Sequence, residues 1–320
     1  MLRPLLRGGL WLLGKAIDDP LLAETPWEAQ MAAALREQVR SIPAIDPSGL
    51  LPSDAAWAEN VLRLRELVLT RDPREFLRWD VVERTMFVGY ASWINTELAW
   101  LKQRPDWKTR WRDAIGESSV GRPSRFAFYP RSSANLIHHA YHLAQFERQT
   151  GVSVSSLRQV VEFGGGYGSL CRLYHKLGFS GRYVIFDLPE FSALQRFYVA
   201  SLGMRILSSV DCRSPQPGVA CITNREELKT AMRDCHPDAS MFVATWSISE
   251  ASGPLRDFVL PVVAGSGAFL LAYQHQFREM DNLRYFARWK KSLGRVTWYE
   301  WEIPHLRGNN YLIGSALARL

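Results

Sequence analysis

The apolar positions of this 320-residue chain follow two different periods, and the change comes near residue 150. In the first half, apolar side chains recur at spacings of three and four residues, which is typical of helices. Four segments show this pattern: PWEAQMAAALREQVRSI, SDAAWAENVLRLRELVL, FVGYASWINTELAWLKQ and SANLIHHAYHLAQFERQT. Gly151 follows the last segment, in the position where glycine commonly ends a helix. We therefore predict an all-helical region over residues 1–150.

From residue 151 onward, short apolar runs alternate with helical segments. The runs QVVEF, RYVIFD, VACIT, SMFVATW, AFLLAYQ, RVTWYEWEI and YLIGSAL predict seven strands. The connection between the last two runs is too short for a helical crossover, so these two strands should be antiparallel. The alternation predicts an α/β fold for residues 151–320, with a mostly parallel, Rossmann-like seven-stranded sheet between helices.

Composition and charge narrow the class of protein. The chain is 47% hydrophobic and 22% charged, as folded globular proteins are. Its net charge of +7 comes from 39 basic and 32 acidic residues without a run of like charge, which speaks against nucleic acid as a partner. The four cysteines have no CxxC spacing, so we predict neither a zinc site nor a disulfide framework. Because no disulfide framework is predicted, we expect a cytoplasmic protein.

The N-terminal segment MLRPLLRGGLWLLGKAIDDP has some features of a targeting or membrane segment. Two arginines precede its apolar stretch, but glycines and a lysine interrupt the stretch and no small-residue cleavage site follows. The stretch is also too short to cross a bilayer. We expect this segment to dock on the protein, with loose attachment to the inner face of a membrane as the alternative.

The candidate chemistry begins with a glycine-rich segment between the first predicted strand and the helix that follows it. Residues 162–168 read acidic-x-Gly-x-Gly-x-Gly. A dinucleotide fingerprint requires glycine where Ser169 stands, and a Walker loop requires a Gly-Lys-Ser/Thr ending that is missing. The pattern suits S-adenosylmethionine, whose amino-acid tail needs close backbone approach. Glu162 is then the partner of its ammonium group, and Asp187, which ends the second strand, accepts both ribose hydroxyls.

Four stretches of the chain resemble the bacterial sugar O-methyltransferase family. They are RSSANLIHHAYHL, VVEFGGGYGSLCR…FDLPEF, ATWSISE and HLRGNNYLIGS, which together extend from about Phe128 to Ser315. The resemblance implies a class I methyltransferase sheet with an antiparallel last strand and S-adenosylmethionine as cofactor. It also implies that the acceptor is a hydroxyl of a deoxysugar, nucleotide sugar or polysaccharide unit.

The cofactor-binding candidates lie in the glycine loop and at the strand ends. They are Glu162, Gly164, Gly165, Gly166, Tyr167, Gly168, Asp187, Leu188, Thr245 and Trp246. Arg131 precedes the last helix of the first half and is a candidate partner for the cofactor carboxylate or for an anionic acceptor.

A methyl acceptor must lose a proton, so a general base is expected near the methyl donor. Ligands bind at the carboxyl ends of parallel strands, and histidine titrates near neutrality. We favour His305, then His275, with Glu250 orienting the base or binding a sugar hydroxyl.

The remaining candidates concern the acceptor and a metal. Substrate binding is expected from Asn282, Asn309, Asn310 and Tyr311, although Asn309 and Asn310 are equally compatible with a plain turn. No acidic pair stands near Glu250, so no metal is predicted. His138 and His142 lack a third zinc ligand and are expected to pack or to contact the ligand.

Three other functions compete with sugar methylation. A small-molecule O-methyltransferase with a phenolic or polyketide acceptor would share the Asp-Leu-Pro element. A non-catalytic S-adenosylmethionine-binding regulatory protein would also keep Glu162 and Asp187. An NAD-dependent oxidoreductase is disfavoured by Ser169. The helical half is expected to serve as an acceptor-binding region, a lid or a homodimer surface.

Overall fold

The computed structural model describes residues 20–86, 89, 91–208, 216–233 and 236–317. In chain order its strands are β1 (Gln159–Phe163), β2 (Arg182–Phe186), β3 (Gly218–Ile222), β4 (Ser240–Thr245), β5 (Ala268–Gln274), β6 (Gln276–Phe277), β7 (Met280–Asp281), β8 (Thr297–Glu302) and β9 (Asn309–Ser315). Strands β6 and β7 form a separate ribbon, and the other seven form one sheet in the order β3-β2-β1-β4-β5-β9-β8. Strands β1 to β5 are parallel, and β9 is antiparallel to both β5 and β8. The predicted α/β fold, with a mostly parallel seven-stranded sheet and an antiparallel last strand, is confirmed.

The direction of the strand order reverses between β1 and β4, and this reversal positions the site. From β1 the chain builds outward through β2 to β3, and it then returns to add β4 and β5 on the other side of β1. Such a reversal leaves a crevice at the carboxyl ends of the two central strands, where open α/β sheets bind their ligands. Strands β1, β2 and β3 are buried along their whole length, which explains their nearly unbroken apolar runs.

Helices are the main elements of the first half, within the described residues, and they alternate with the strands in the second half. In chain order they are α1 (Pro26–Ser41), α2 (Pro52–Thr70), α3 (Asp80–Thr85), α4 (Ile94–Lys102), α5 (Arg112–Ala114), α6 (Ala134–Thr150), α7 (Ser169–Lys176), α8 (Pro189–Ser201), α9 (Arg225–Arg233), α10 (Ser247–Glu250), α11 (Gly253–Val263) and α12 (Asn282–Lys291). Short 3-10 turns lie at Pro73–Arg78, Val154–Ser156 and Pro237–Ala239, and a π-helical turn lies at Trp107–Trp111.

Helix α6 joins the helical half to the sheet. Its N-terminus is capped by Ser133, whose side chain accepts a hydrogen bond from the backbone N–H of Leu136 at 3.1 Å, and it ends at Gly151, as predicted, with φ of +75°. The helix contacts α4, α7 and β9. One hydrophobic core therefore runs from the first helices to the last strand. The division into residues 1–150 and 151–320 stays a prediction.

Several details differ from the prediction. Strand β9 begins at Asn309, so Asn309 and Asn310 pair with β5 and are not turn residues. The ribbon β6–β7 and helices α3 and α10 were not predicted, because elements of two to six residues are too short for a period to be recognised. The N-terminal segment considered for docking or membrane attachment lies, but for Pro20, outside the described residues. No described helix is long and apolar enough to cross a membrane.

Phe76 tests whether the shared core holds the two halves together. It is fully buried, and its ring contacts those of Tyr167 in the glycine loop and Tyr198 in α8, with centroids 5.6 and 5.8 Å apart. Phe76→Ala should lower the free energy of unfolding by about 3–5 kcal/mol, because it leaves a cavity between elements from both halves. Chemical denaturation followed by fluorescence measures this loss.

The control is Phe128→Ala, a phenylalanine in the same half that is 53% exposed. It should change the free energy of unfolding by no more than about 0.5 kcal/mol. Equal effects of the two substitutions, or a separate unfolding transition of the helical half in the Phe76 variant, would contradict the shared core.

Candidate active site

Two adjoining cavities open at the carboxyl ends of the central strands. The first, of about 310 Å³, is here called the apolar cavity; its walls include Trp57, Phe163, Phe186, Leu188 and Phe191. The second, of about 350 Å³, is called the polar cavity; its walls include Arg84, Asn135, His138, His139, Glu162 and Asn309. Both cavities share the walls formed by Thr85, Met86, Gly164, Gly166, Thr245, Trp246 and Glu250. A ligand that occupies both must therefore pass the glycine loop and Trp246.

The glycine loop owes its composition to its own backbone. Gly164, Gly166 and Gly168 have φ of +67°, +58° and +96°, a region that residues with a side chain rarely adopt. A Cβ on Gly165 would lie 2.6 Å from Cγ2 of Ile185, and one on Gly164 would collide with Ser247. The expectation that ligand approach explains these glycines was therefore too narrow, because the fold alone requires them. Evidence for a ligand has to come from the surrounding side chains.

Glu162 is a buried carboxylate at the end of β1. Its Oε2 atom accepts a hydrogen bond from the hydroxyl of Tyr183 at 2.8 Å, and its side chain lines the polar cavity. Burial raises its pKa to about 8, against the lowering effect of the Tyr183 hydrogen bond. Among the described residues no lysine or arginine forms an ion pair with it. A cationic group in the polar cavity would supply the missing charge.

Asp187 lies directly after β2 and lines the apolar cavity. Its two oxygens accept hydrogen bonds from the backbone N–H of Leu188 at 2.8 Å and from Nε2 of Gln195 at 2.7 Å. Gln195 also donates to the carbonyl of Gly166 at 2.9 Å, which ties the carboxylate to the glycine loop. Burial raises the pKa of Asp187 to about 7, although the Leu188 amide lowers it. The carboxylate is thus held in place by neutral donors.

Trp246 lines both cavities. It directly follows β4 and has φ of +63°, which is strained for a residue with a bulky side chain. Its backbone N–H donates to the carbonyl of Ala272 at 2.6 Å, and its Nε1 donates to Oδ1 of Asn309 at 2.7 Å. Its ring lies 5.3 Å from that of His138 and 5.4 Å from that of His142, centroid to centroid. These contacts hold the indole as a fixed wall of both cavities.

The three predicted catalytic residues are not all brought to the cavities. Glu250 lines both cavities and accepts a hydrogen bond from Nε2 of Gln274 at 3.2 Å, and burial raises its pKa. His305 lines neither cavity, because its Nε2 is turned toward Glu97, 2.8 Å from Oε1. His275 also lines neither, and its Nε2 lies 2.9 Å from Oδ1 of Asn310.

The predicted binding residues divide in the same way. Those that line one or both cavities are Glu162, Gly164, Gly165, Gly166, Tyr167, Asp187, Leu188, Thr245, Trp246 and Asn309. Gly168, Arg131, Asn282, Asn310 and Tyr311 do not.

Each of the non-lining side chains has another structural partner. Asn282 is fully buried and bonds to the guanidinium of Arg256 at 2.6 Å. Tyr311 is fully buried and bonds to the imidazole of His142. Arg131 lies on the surface, 3.4 Å from the carboxylate of Asp113. Their positions in the sequence, near strand ends or a helix start, did not reveal these partners.

Sequence reasoning expected His138 to pack or to contact the ligand, but it missed the other side chains that the helical half brings to the polar cavity. Asn135, His138 and His139 stand at i, i+3 and i+4 on α6 and so share a helix face, a signal that was available in the sequence. Trp93 stands just before α4. Glu97, fully buried on α4, bonds to both His138 and His305. Nothing in the sequence marked Glu97, since its burial depends on residues 41 and 208 positions away.

The polar side chains of the site indicate which metal or cofactor it could hold. Within the described parts of the chain, no group of three or more His, Cys, Asp or Glu side chains is placed to hold a metal ion. The absence of a metal stays a prediction. The residues present fit S-adenosylmethionine. The apolar cavity contains the carboxylate of Asp187, and the adjoining polar cavity contains that of Glu162, which has no cationic partner among the described residues.

Comparison with known proteins gave only distant structural similarities. No family model and no curated protein sequence matches the chain. Precorrin-6y C5,15-methyltransferase from Geobacter metallireducens is 13% identical with a TM-score of 0.36, over 58% of this chain and 89% of that chain. Mitomycin 7-O-methyltransferase MmcR is 14% identical with a TM-score of 0.35, over 90% and 94%. A SAM-dependent methyltransferase from Aquifex aeolicus is 13% identical with a TM-score of 0.36, over 54% and 90%. Scores this low carry no weight for activity.

The pKa of Glu162 predicts a pH-dependent effect on stability. The folded chain holds this proton up to about pH 8, whereas an unfolded glutamic acid loses it near about pH 4.3. The free energy of unfolding therefore falls as the pH rises between these two values. Glutamine does not titrate, so Glu162→Gln should gain stability relative to the parent as the pH rises and reach its full gain above about pH 8. Denaturation at several pH values measures the difference.

Glu59→Gln is the matched control, because Glu59 is exposed on α2 and lines neither cavity. It removes one carboxylate without opening the core. A stability gain of the Glu162 variant that is the same at acid and alkaline pH would show that burial does not raise the pKa of this carboxyl.

Proposed function

We propose that this protein is an S-adenosylmethionine-dependent O-methyltransferase that acts on a hydroxyl group of a sugar. The observation that carries the proposal is the pair Glu162 and Asp187. They are carboxylates without a cationic partner among the described residues, and they stand at the ends of adjacent strands on the walls of two adjoining cavities. S-Adenosylmethionine has complementary groups, with an ammonium at one end, a ribose diol toward the other and a sulfonium between them.

The apolar cavity suits the adenosine half of this cofactor. Phe163, Phe186 and Leu188 offer apolar surface for a purine ring. Asp187 is held by Leu188 and Gln195 in a position to accept hydrogen bonds from the two ribose hydroxyls. The polar cavity provides Glu162 for the ammonium group. Burial raises the pKa of both carboxyls, so their charged forms are unfavourable in the empty site. A bound cationic ligand stabilises these charged forms, and they in turn stabilise the ligand.

Bound S-adenosylmethionine supplies an electrophilic methyl group. The protein then has to place an acceptor oxygen in line with that group and exclude water. The wall shared by both cavities, with the fixed indole of Trp246 and the carboxyl of Glu250, lies where the two ligands would meet. Transfer is therefore expected at this wall.

The lining of the polar cavity favours a sugar over a phenolic acceptor. Arg84, Asn135 and His139 line it with groups that form hydrogen bonds to hydroxyls, and Trp93 offers an aromatic face for the C–H side of a sugar ring. A phenolic or polyketide acceptor would be better matched by an apolar pocket. The regulatory alternative shares the cofactor-binding residues, so methyl transfer itself has to be measured.

Calorimetric titration tests the cofactor. The protein should bind S-adenosylmethionine and its demethylated product, and Asp187→Asn should weaken both about 10- to 100-fold, because a charged hydrogen-bond acceptor for the ribose is lost. Asp238→Asn, an exposed aspartate, is the matched control and should bind normally. Binding of NAD without binding of S-adenosylmethionine would overturn the proposal.

An acceptor screen tests the substrate class. Transfer of labelled methyl from S-adenosylmethionine is measured with free sugars, nucleotide sugars and glycans, and with phenols as the competing class. Incorporation into a carbohydrate is expected. Incorporation into phenols alone would replace the sugar by an aromatic acceptor, and cofactor binding without transfer to any class would favour the regulatory alternative.

A further inference from the structure

The buried carboxylate of Glu97 joins two imidazoles from distant parts of the chain. Its Oε1 and Oε2 lie 2.9 and 3.0 Å from Nδ1 of His138 on α6. Its Oε1 also lies 2.8 Å from Nε2 of His305, in the turn before β9. The Glu97 side chain is fully buried, and those of His138 and His305 are 4% and 11% exposed. The cluster is therefore a fixed arrangement removed from bulk water.

This geometry determines where the proton of each imidazole sits. Burial raises the pKa of Glu97 to about 7, so above that pH the carboxylate is ionised and only accepts hydrogen bonds. His138 then donates from Nδ1, and His305 donates from Nε2. In neutral His138 the lone pair is then on Nε2. Among the described residues this Nε2 has no hydrogen-bond partner, whereas the His138 side chain lines the polar cavity. A proton-accepting nitrogen is thus available where the acceptor hydroxyl is expected.

The surroundings keep His138 neutral and immobile. Its ring lies 4.8 Å from that of Trp93, 4.0 Å from that of His142 and 5.3 Å from that of Trp246, centroid to centroid. Burial lowers the pKa of His138 to about 3, so the ring does not carry a proton before the reaction. The neighbouring carboxylate favours the imidazolium once a proton arrives. A general base is most effective with a pKa near the working pH, so the assignment to His138 rests on its position between the Glu97 carboxylate and the polar cavity.

The other candidates for the general base lack this combination of an orienting carboxylate and a place on the cavity wall. His305 and His275 do not line the cavities. Glu250 lines both, but its carboxyl is bonded to Gln274. His139 lines the polar cavity, and its Nδ1 is buried without a partner, so no carboxylate fixes its tautomer. His138 alone among these side chains combines an orienting carboxylate with a place on the cavity wall.

We propose that His138 is the general base of the methyl transfer, with Glu97 and His305 as positioning residues. This inference rests on the proposed function. The acceptor oxygen gives its proton to Nε2 of His138 and forms the new O–C bond, while the C–S bond of the sulfonium methyl donor breaks and its electron pair stays on sulfur. The positive charge lost at sulfur reappears on the imidazolium of His138, where the Glu97 carboxylate stabilises it.

The turnover number kcat, measured with an acceptor found in the screen, tests whether His138 is the general base. His138→Ala and His138→Gln should lower kcat about 100-fold or more, because the hydroxyl keeps its proton. Calorimetry should show little change in their affinity for S-adenosylmethionine. Added imidazole should restore part of the turnover of His138→Ala.

His236→Ala replaces an exposed histidine and is the matched control, so this variant should turn over normally. His138 variants that turn over within a few-fold of the parent would overturn the assignment, and a parallel loss in His139→Ala alone would transfer it to His139.

Nuclear magnetic resonance of ¹⁵N-labelled histidines gives a second readout that needs no acceptor. At alkaline pH the His138 ring should be neutral with its proton on Nδ1, and Glu97→Gln should mix the tautomers and lower kcat without changing cofactor affinity. A merely structural Glu97 would alter stability and leave kcat unchanged in the folded variant. A His138 ring with its proton on Nε2 would overturn the inference. Failure of the parent to bind S-adenosylmethionine would instead refute the proposed function, and the two failures are thus distinguishable.

Discussion

The burial of helix α6 on almost every side is the constraint on which the site depends. Its polar residues Asn135, His138 and His142 are buried and need partners, because an unpaired polar group inside a protein is costly. The partners come from three places: Tyr167 of the glycine loop, Glu97 of α4 and Tyr311 of β9. Satisfying these side chains therefore fixes how the helical half lies on the sheet. The same contacts bring α6 to the wall of the polar cavity.

Local periodicity made much of the fold predictable. Features that depend on contacts between residues distant in sequence could not be predicted. Strands β1 and β5 occur at the predicted residues, because buried parallel strands leave unbroken apolar runs. Glu162 and Asp187 were found because strand ends converge at one edge of such a sheet. Asn309 was left open between a turn and the acceptor site, because only pairing with β5 shows that it belongs to a strand. Glu97 could not be found, because a glutamate on a helix is ordinarily solvated and its two histidine partners are remote in sequence.

Three carboxyls near the carboxyl edge of the sheet share one electrostatic pattern. Burial raises the pKa of Glu97 to about 7, of Glu162 to about 8 and of Asp187 to about 7. Their hydrogen-bond partners are imidazoles, a tyrosine hydroxyl and an amide, which orient a carboxylate without neutralising it. Such groups reduce the stability of the empty site and favour a positively charged ligand or transition state. The large core shared by both halves offsets this cost.

The two cavities draw on both sides of residue 150, but in different proportions. The apolar cavity is walled mainly by the strand ends and the residues after them, with Asp54 and Trp57 added by α2. The polar cavity takes Arg84, Trp93 and the α6 residues from the helical half. We infer that the sheet holds the cofactor and that the helical half selects the acceptor. Acceptor chemistry would then change with the side chains of α3 and α6 and with Trp93, while the sheet stays the same. This division explains why the glycine loop indicates a cofactor and is silent on the acceptor.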